Sequence, residues 1–185
     1  MTDSRSPYVY LSDGGHFENL GLYEMILRRC HLIIVSDAGC DPDCTLEDLG
    51  NAIRKIRIDL GVNIEMDEFS IFSRNDPEAK TPGKYFAIGK IDYAAVDGDA
   101  AQNGTLIYLK PAVYGPEPRD IFNYKEEHKD FPHESTGDQW FSESQFESYR
   151  HLGLFIIDQI WPQIHPCLKA GAVEAPCRSP TERSS

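Results

Sequence analysis

The chain lacks a long hydrophobic run. No stretch of about 18 consecutive apolar residues, the length that a membrane-spanning helix needs, occurs in the sequence. Its first residues, MTDSRSPYVY, do not form a basic segment followed by an apolar one. The sequence therefore predicts neither a membrane span nor secretion, and a cytoplasmic protein is expected.

Positive charge is scarce as well. The sequence holds 18 Lys and Arg residues against 30 Asp and Glu residues, which gives a formal net charge of -12. A surface of this sign repels phosphate backbones and anionic lipid headgroups. Nucleic acid is therefore excluded as an expected partner.

Cysteines are few and odd in number, with 5 in the chain. A disulfide framework is not implied, and a reducing compartment fits this composition. Cys40 and Cys44 form a C-x3-C pair, but Cys167 and Cys177 lie far apart in a Pro-rich tail. Because structural zinc needs four well-spaced ligands, no metal is expected.

What the chain does contain is the length and hydrophobic content of one domain with a real core. Runs rich in β-branched and aromatic residues at Tyr8–Leu11 and His31–Gly39 predict buried strands. Between them, NLGLYEMILRR places Leu20, Tyr23 and Leu27 on one helical face. The pattern is therefore strand, helix, strand.

Further elements follow this unit. TLEDLGNAIRKIRIDLG predicts a helix with Thr45 as N-cap and Gly61 as its stop, and a β-rich stretch with a hairpin comes next. SESQFESYRHLGLFIIDQIW opens with Ser142 and Gln145 in capping-box spacing. Its predicted packing face contains Phe146, Tyr149, Gly153, Ile156 and Ile160. From Pro162 onward the composition predicts a flexible tail, which gives a domain at 1–161 and a tail at 162–185.

The short motif Asp13-Gly14-Gly15 follows the first predicted strand. Glycine permits sharp turns and close backbone approach, so this turn can hold a carboxylate in a fixed position. An aspartate at a strand-to-helix turn is also a common helix cap, and the residues alone leave both interpretations open.

Several longer segments resemble the patatin-like phospholipases of bacteria. They are SDGGHFENLGLYE, HLIIVSDAG, DLGNAIRKIRIDLGV and DFPHESTGDQWFSESQFESYRHLG, and the resemblance runs from about Tyr8 to Gly153. In that family a D-G-G or D-G-A motif supplies the aspartate of a Ser-Asp catalytic dyad. The resemblance therefore implies that Asp13 is catalytic, that Gly14 and Gly15 shape its turn, and that Asn19 ties the turn to the helix.

The resemblance also implies a fold and a reaction. The fold is a partial three-layer α/β/α arrangement with a central, mostly parallel sheet, extended by a β-hairpin and a long C-terminal helix. The reaction is hydrolysis of a lipid carboxylic ester without metal or organic cofactor. Membrane association through regions outside this chain is compatible with this family.

The family's nucleophile is missing from the sequence. It lies in a G-x-S-x-G elbow upstream of the aspartate, and no such motif occurs here. The resemblance implies that the serine and the oxyanion loop come from a missing N-terminal half, without which the chain would be marginally stable and prone to self-association. The alternative is a noncatalytic α/β interaction module or an inactive truncated relative.

Other titratable residues are weaker candidates for a catalytic role. His16 follows the motif closely, but the family uses no histidine base, and a turn histidine more often makes local hydrogen bonds. Asp37 reads as an ordinary turn and cap residue. His133 and Glu134 are expected to contribute packing or contacts at the edge of a site, and His151 to lie at a surface or an interface.

Overall fold

A computed structural model describes residues 14–67, 69–73 and 83–172, with side chains up to residue 166. The predicted strand Tyr8–Leu11 and Asp13 lie outside the described residues. A 3-10 turn at Gly14–His16 opens the described part of the chain. The elements that follow are α1 Leu22–Leu27, β1 Leu32–Ser36, α2 Glu47–Leu60, β2 Asn63–Met66, β3 Phe86–Asp92, α3 Ala94–Asp97, β4 Gly104–Leu109, α4 Arg119–Glu127 and α5 Glu143–Ala172.

The four described strands form one mixed sheet in the order β1-β4-β3-β2. β1 and β4 are parallel, whereas β4 with β3 and β3 with β2 are antiparallel. The α/β class, the hairpin and the long C-terminal helix are confirmed, but the prediction of a mostly parallel sheet is wrong for the described strands. The reason is the hairpin, because the connection that carries only α3 brings β4 back against β3 in the opposite direction.

Hydrophobic clusters occupy both faces of this sheet. One contains Leu22 and Ile26 of α1 and the inward residues of α2, together with Ile33 and Val35 of β1. The other contains Ile107 of β4 and side chains from α4 and α5. Because neighbouring strand residues point to opposite faces, the apolar run at β4 supplies both cores, as expected for a strand covered on both sides.

The two early helices begin differently from the sequence pattern. Gly21 precedes α1 in the left-handed conformation, with φ 69°, so the helix starts at Leu22. Its fully buried residues are Leu22 and Ile26, not the predicted line of Leu20, Tyr23 and Leu27. Thr45 does not cap α2, because Leu46 occupies the N-cap position in the left-handed conformation; the predicted stop at Gly61 is confirmed.

Helix α5 has the predicted start and an unexpected length. The Ser142 hydroxyl accepts the Gln145 N–H at 3.2 Å, and the Gln145 side chain accepts the Ser142 N–H at 3.4 Å, which confirms the capping box. Ile156 is buried as predicted, but Phe146 is 58% exposed. The helix continues through Pro162 and Pro166 to Ala172, so residues 162–172 are helical where the sequence predicted a flexible tail.

The cysteines also differ from expectation at one position. Cys40 and Cys44 are free thiols, whereas the buried Cys30 is disulfide-bonded. The odd cysteine count implied no disulfide framework, and among the described residues the bonded cysteine is Cys30.

The capping box gives a direct stability prediction. Replacing Ser142 by Ala removes the acceptor for the Gln145 N–H, so we expect a loss of about 1 kcal/mol in the free energy of unfolding. Ser142→Asp keeps an acceptor and should lose only a fraction of that. Urea denaturation compares the two, and equal losses would show that the cap contributes nothing.

Helix α5 also carries an apolar stripe on its outer side. Phe146, Leu154, Ile157 and Trp161 are exposed, and their spacing places them within one side of the helix. Large exposed apolar patches promote association between chains. This stripe is therefore a described surface through which the predicted self-association would occur.

We expect the isolated chain to elute as a dimer or larger species whose proportion rises with concentration. Leu154→Glu with Trp161→Glu should shift it to monomer, because charge on the stripe opposes contact. Gln159→Glu with Gln163→Glu adds the same charge at exposed positions of α5 outside the stripe and should change little. Size-exclusion chromatography decides, and a wild-type chain that is monomeric at every concentration would contradict the prediction.

Candidate functional site

The residues after Asp13 form an exposed turn. Gly14–His16 are a 3-10 turn without buried residues, and among the described residues, its chain neighbours apart, no heavy atom lies within 4 Å of a Cβ built on Gly14. Close packing therefore does not explain the glycine at position 14. In this segment the left-handed glycine is Gly21, which the resemblance did not single out.

Two side chains hold the chain after this turn. The Glu18 carboxylate accepts the N–H groups of Leu20 at 2.5 Å and Tyr23 at 3.4 Å, and so caps the start of α1. Asn19 was expected to tie the turn to this same helix. Its side-chain amide instead donates to Asp48 Oδ1 of α2 at 3.1 Å, so Asn19 joins the turn to a different helix.

A buried polar cluster lies at the carboxyl ends of the parallel strands β1 and β4. The Lys110 ammonium is 3.1 Å from Asp37 Oδ1, and the two side chains are 1% and 3% exposed. Tyr108 donates its hydroxyl proton to Asp37 Oδ2, and burial followed by this contact raises the pKa of Tyr108 above its ordinary value. Both carboxylate oxygens therefore have partners, which a buried charge requires.

The loop between β1 and α2 is fastened to this cluster. The Gly39 N–H donates to Asp37 Oδ1 at 2.9 Å, which confirms the turn role predicted for Asp37, and the Gly39 carbonyl accepts from Lys110 at 3.2 Å. A Cβ built on Gly39 would lie 3.1 Å from Asp37 Oδ1 and 3.6 Å from Asp48 Oδ2. Gly39 thus leaves room for the Asp37 side chain, and Asp48 lies beside it.

Asp41 orders the remainder of this loop. Its carboxylate accepts the N–H groups of Thr45 at 2.8 Å and Leu46 at 2.9 Å. Burial acts to raise the pKa of Asp41, but these hydrogen bonds and the Lys110 charge bring it below its ordinary value. Asp41, not Thr45, therefore provides the side-chain acceptor before α2.

His133, which Glu134 follows in the sequence, lies beside the same loop, where it forms a hydrogen bond with the Gly39 backbone. His133 is 8% exposed, its Nδ1 atom has no hydrogen-bond partner in the described part of the chain, and burial, helped by the Lys110 charge, lowers its pKa. Glu134 accepts from the Gln145 amide at 3.1 Å. This bond attaches the segment to α5, so Glu134 has the packing role that was one of its two predicted roles.

A cavity of about 480 Å³ opens next to this cluster. Its walls are apolar at Phe72, Val113 and Phe131, and both His133 and Cys44 line it. Burial and the neighbouring Asp41 charge raise the pKa of the Cys44 thiol to about 11. The thiol is therefore protonated near neutral pH and is a poor nucleophile.

The remaining histidines lie away from the cluster or at the surface. His16 ends the exposed 3-10 turn. His151 on α5 is 2.7 Å from Asp120 on α4, which joins these two helices and fits the predicted interface position. The site residue that sequence reasoning missed is Lys110, whose only signal was a charged residue directly after the apolar run TLIYL.

Asn19 connects the segment that follows Asp13 to the region of the buried polar cluster. It contacts Asp48, and Asp48 lies beside Gly39 at the carboxyl end of β1. In open α/β sheets, ligands bind in the crevice outside the carboxyl ends of the strands. The segment that follows Asp13 is therefore attached at the edge of the sheet where a site is expected.

Comparison with protein-family models, with curated proteins and with solved structures finds no match to this chain. In the described part of the chain, no helix has the combination of length and apolar character that crossing a bilayer requires.

The buried pair gives a second stability prediction. Lys110→Met leaves the Asp37 carboxylate buried without its cation, so we expect a loss of about 3–5 kcal/mol in the free energy of unfolding. Adding Asp37→Asn removes the stranded charge and should restore a large part of that loss. Urea denaturation of the two single variants and the double variant measures the coupling, and strictly additive losses would contradict the pairing.

Proposed function

We propose that this chain is the aspartate-bearing part of a serine lipid acyl hydrolase. The observation that supports the proposal is the position of the described residues that follow Asp13 in the sequence, from Gly14 to Asn19. The turn after Asp13 is exposed, and Asn19 fastens it to Asp48 at the carboxyl edge of the sheet. A carboxylate held at this edge can reach a nucleophile on a neighbouring element without a histidine between them.

In the proposed reaction, Asp13 is the general base for a serine supplied upstream of this chain. Asp13 takes the hydroxyl proton as the serine oxygen attacks the ester carbonyl carbon, and a tetrahedral intermediate forms. The intermediate expels the alcohol, which takes the proton from Asp13. Water then attacks the acyl-serine with Asp13 again as base, and the fatty acid and the free serine are released.

The substrate is a lipid carboxylic ester, and the chemistry requires neither metal nor organic cofactor. Gly14 and Gly15 serve as the turn that presents Asp13, and Asn19 serves as its tether to α2. In this scheme the partner is the N-terminal half of the catalytic domain, which carries the G-x-S-x-G elbow and the oxyanion loop.

A noncatalytic interaction module is the second candidate. Two observations favour it: the sequence has no G-x-S-x-G motif, and the buried ion pair of Asp37 and Lys110 is held by hydrogen bonds within the chain. A fully partnered buried cluster of this kind rigidifies and specifies a fold. Under this alternative, neither the isolated chain nor the polypeptide that includes the upstream sequence hydrolyses reactive short-chain esters or reacts with a serine-directed fluorophosphonate, whereas the first candidate requires both reactions in the longer polypeptide.

Asp13→Asn tests the proposal in the polypeptide that includes the upstream elbow. The amide keeps the shape of the carboxylate but cannot accept the serine proton, so we expect kcat for ester hydrolysis to fall at least about a hundredfold. Asp99→Asn, in the exposed loop before β4, is the matched control and should leave the rate unchanged. Undiminished turnover by a folded Asp13→Asn variant would remove Asp13 from the mechanism.

A further inference from the structure

The cavity beside the buried polar cluster is formed by four separate parts of the chain. Its volume is about 480 Å³, which lies within the range of cavities that hold small molecules. The lining residues come from the loop after β1, the chain after β2, the loop after β4 and the end of α4 with the residues that follow it. The cavity is therefore a product of the tertiary fold and not of one loop.

One part of the cavity wall is apolar and aromatic. Phe131, Val113 and Ala112 line it and are almost fully buried, and Phe72 adds a second ring. Phe72 packs edge-on against Tyr114, with the ring centroids 5.6 Å apart. Aromatic rings prefer offset-stacked or edge-to-face contact with other rings. This wall therefore suits the ring of a ligand.

Two further lining residues, Cys44 and His133, carry no charge near neutral pH. The Cys44 thiol is protonated, and burial lowers the pKa of His133, so its ring is neutral. The hydrogen bond of this ring with the Gly39 backbone favours the charged form, so the ring donates it. The other nitrogen, the buried Nδ1, has no partner in the described residues and is an acceptor. Neither residue adds positive charge to the cavity.

Charged side chains also line the cavity, and acidic ones are in excess. The carboxylates are Asp43, Glu126 and Asp130, and the ammonium groups are Lys125 and Lys129. Lys129 Nζ is 3.2 Å from Glu126 Oε2, and Lys125 donates to the Lys129 carbonyl. The exposed Asp43 and Asp130 carboxylates make no hydrogen bond or ion pair with the part of the chain that the structure describes. These two carboxylates are therefore available to a ligand.

The charges around the cavity act on a group inside it. Burial raises the pKa of the Cys44 thiol, and the Asp41 and Asp43 charges raise it further, although the Lys110 charge acts in the opposite direction. The surroundings of Cys44 therefore disfavour negative charge. The same field opposes an anionic ligand and attracts a cationic one.

We propose that this cavity binds an organic cation that carries an aromatic ring. The ring packs against Phe72 and Phe131, and the ammonium group pairs with Asp43 and Asp130. A cation with N–H groups donates hydrogen bonds, which matches a lining whose unpartnered polar groups are acceptors. The site rests on the cavity alone and does not depend on the proposed hydrolysis, whose fatty acid product has the opposite charge.

Titration of the intact chain with three naphthalene derivatives tests the proposal, because they share a ring and differ in charge. Naphthylmethylammonium is the cation, naphthylmethanol the neutral compound and naphthylacetate the anion. We expect the cation to bind about tenfold more tightly than the alcohol, since exposed ion pairs are weak, and the anion to bind least. In amide NMR spectra the cation should shift the signals of lining residues, among them Cys44, Phe72 and Val113.

Asp43→Asn with Asp130→Asn removes the two carboxylates and keeps their shape. The affinity for the cation should fall to that of the alcohol, whereas an unchanged affinity for the alcohol shows that the cavity is intact. Asp99→Asn with Asp158→Asn is the matched control, because it removes the same charge at exposed positions outside the cavity. This control should keep the affinity for the cation within about twofold of wild type, since salt screens distant charges.

Four results would overturn the proposal. They are equal affinity for the cation and the alcohol, tighter binding of the anion, equal losses in the two double variants, and cation-induced shifts confined to the outer stripe of α5. Absence of saturable binding of the cation below about 10 mM would overturn it as well, because that affinity is too weak for a formed site.

Discussion

The buried ion pair between Lys110 and Asp37 is the constraint on which the loops of this structure depend. Each residue follows one strand of the parallel pair, so the pairing of β1 with β4 brings the two charges together. Taking both charges out of water costs several kcal/mol per ion unless every polar atom has a partner. Tyr108 and Gly39 supply those partners, and the loop after β1 has little freedom to adopt another path.

The organisation of the site follows from this loop. Asp41 sets the start of α2 through the backbone of Thr45 and Leu46, and Asp48 then lies in the first turn of that helix. Asn19 binds Asp48, and this contact holds the segment that follows Asp13 at the carboxyl edge of the sheet. The buried charge pair thereby helps to position the exposed turn indirectly, through the loop and α2.

Local signals in the sequence predicted local features well. The capping box at Ser142, the glycine stop of α2 and the strand at His31–Gly39 each depend on residues within a few positions of one another. The mixed direction of the sheet, by contrast, depends on how distant strands pair. Residue alternation within a strand is the same in parallel and antiparallel sheets, so the sequence pattern could not decide it.

Burial was harder to predict for the same reason. Phe146 matched the apolar spacing of α5 but faces outward, because the sheet and α4 cover a different side of that helix. Lys110 is buried although lysine rarely is, and only its pairing with Asp37 across the parallel strands explains this burial. The sequence neighbours of a residue do not indicate which distant residues it will contact.

Under the proposed function, Asp13 is the base for a serine from an upstream elbow. A crystal structure of the polypeptide that includes this elbow, after reaction with a fluorophosphonate, examines this assignment at the atoms concerned. We expect one phosphonylated serine, with its oxygen within hydrogen-bonding distance of the Asp13 carboxylate and close to Asp37 and Gly39. A labelled serine remote from Asp13, or no labelled serine, rules the assignment out.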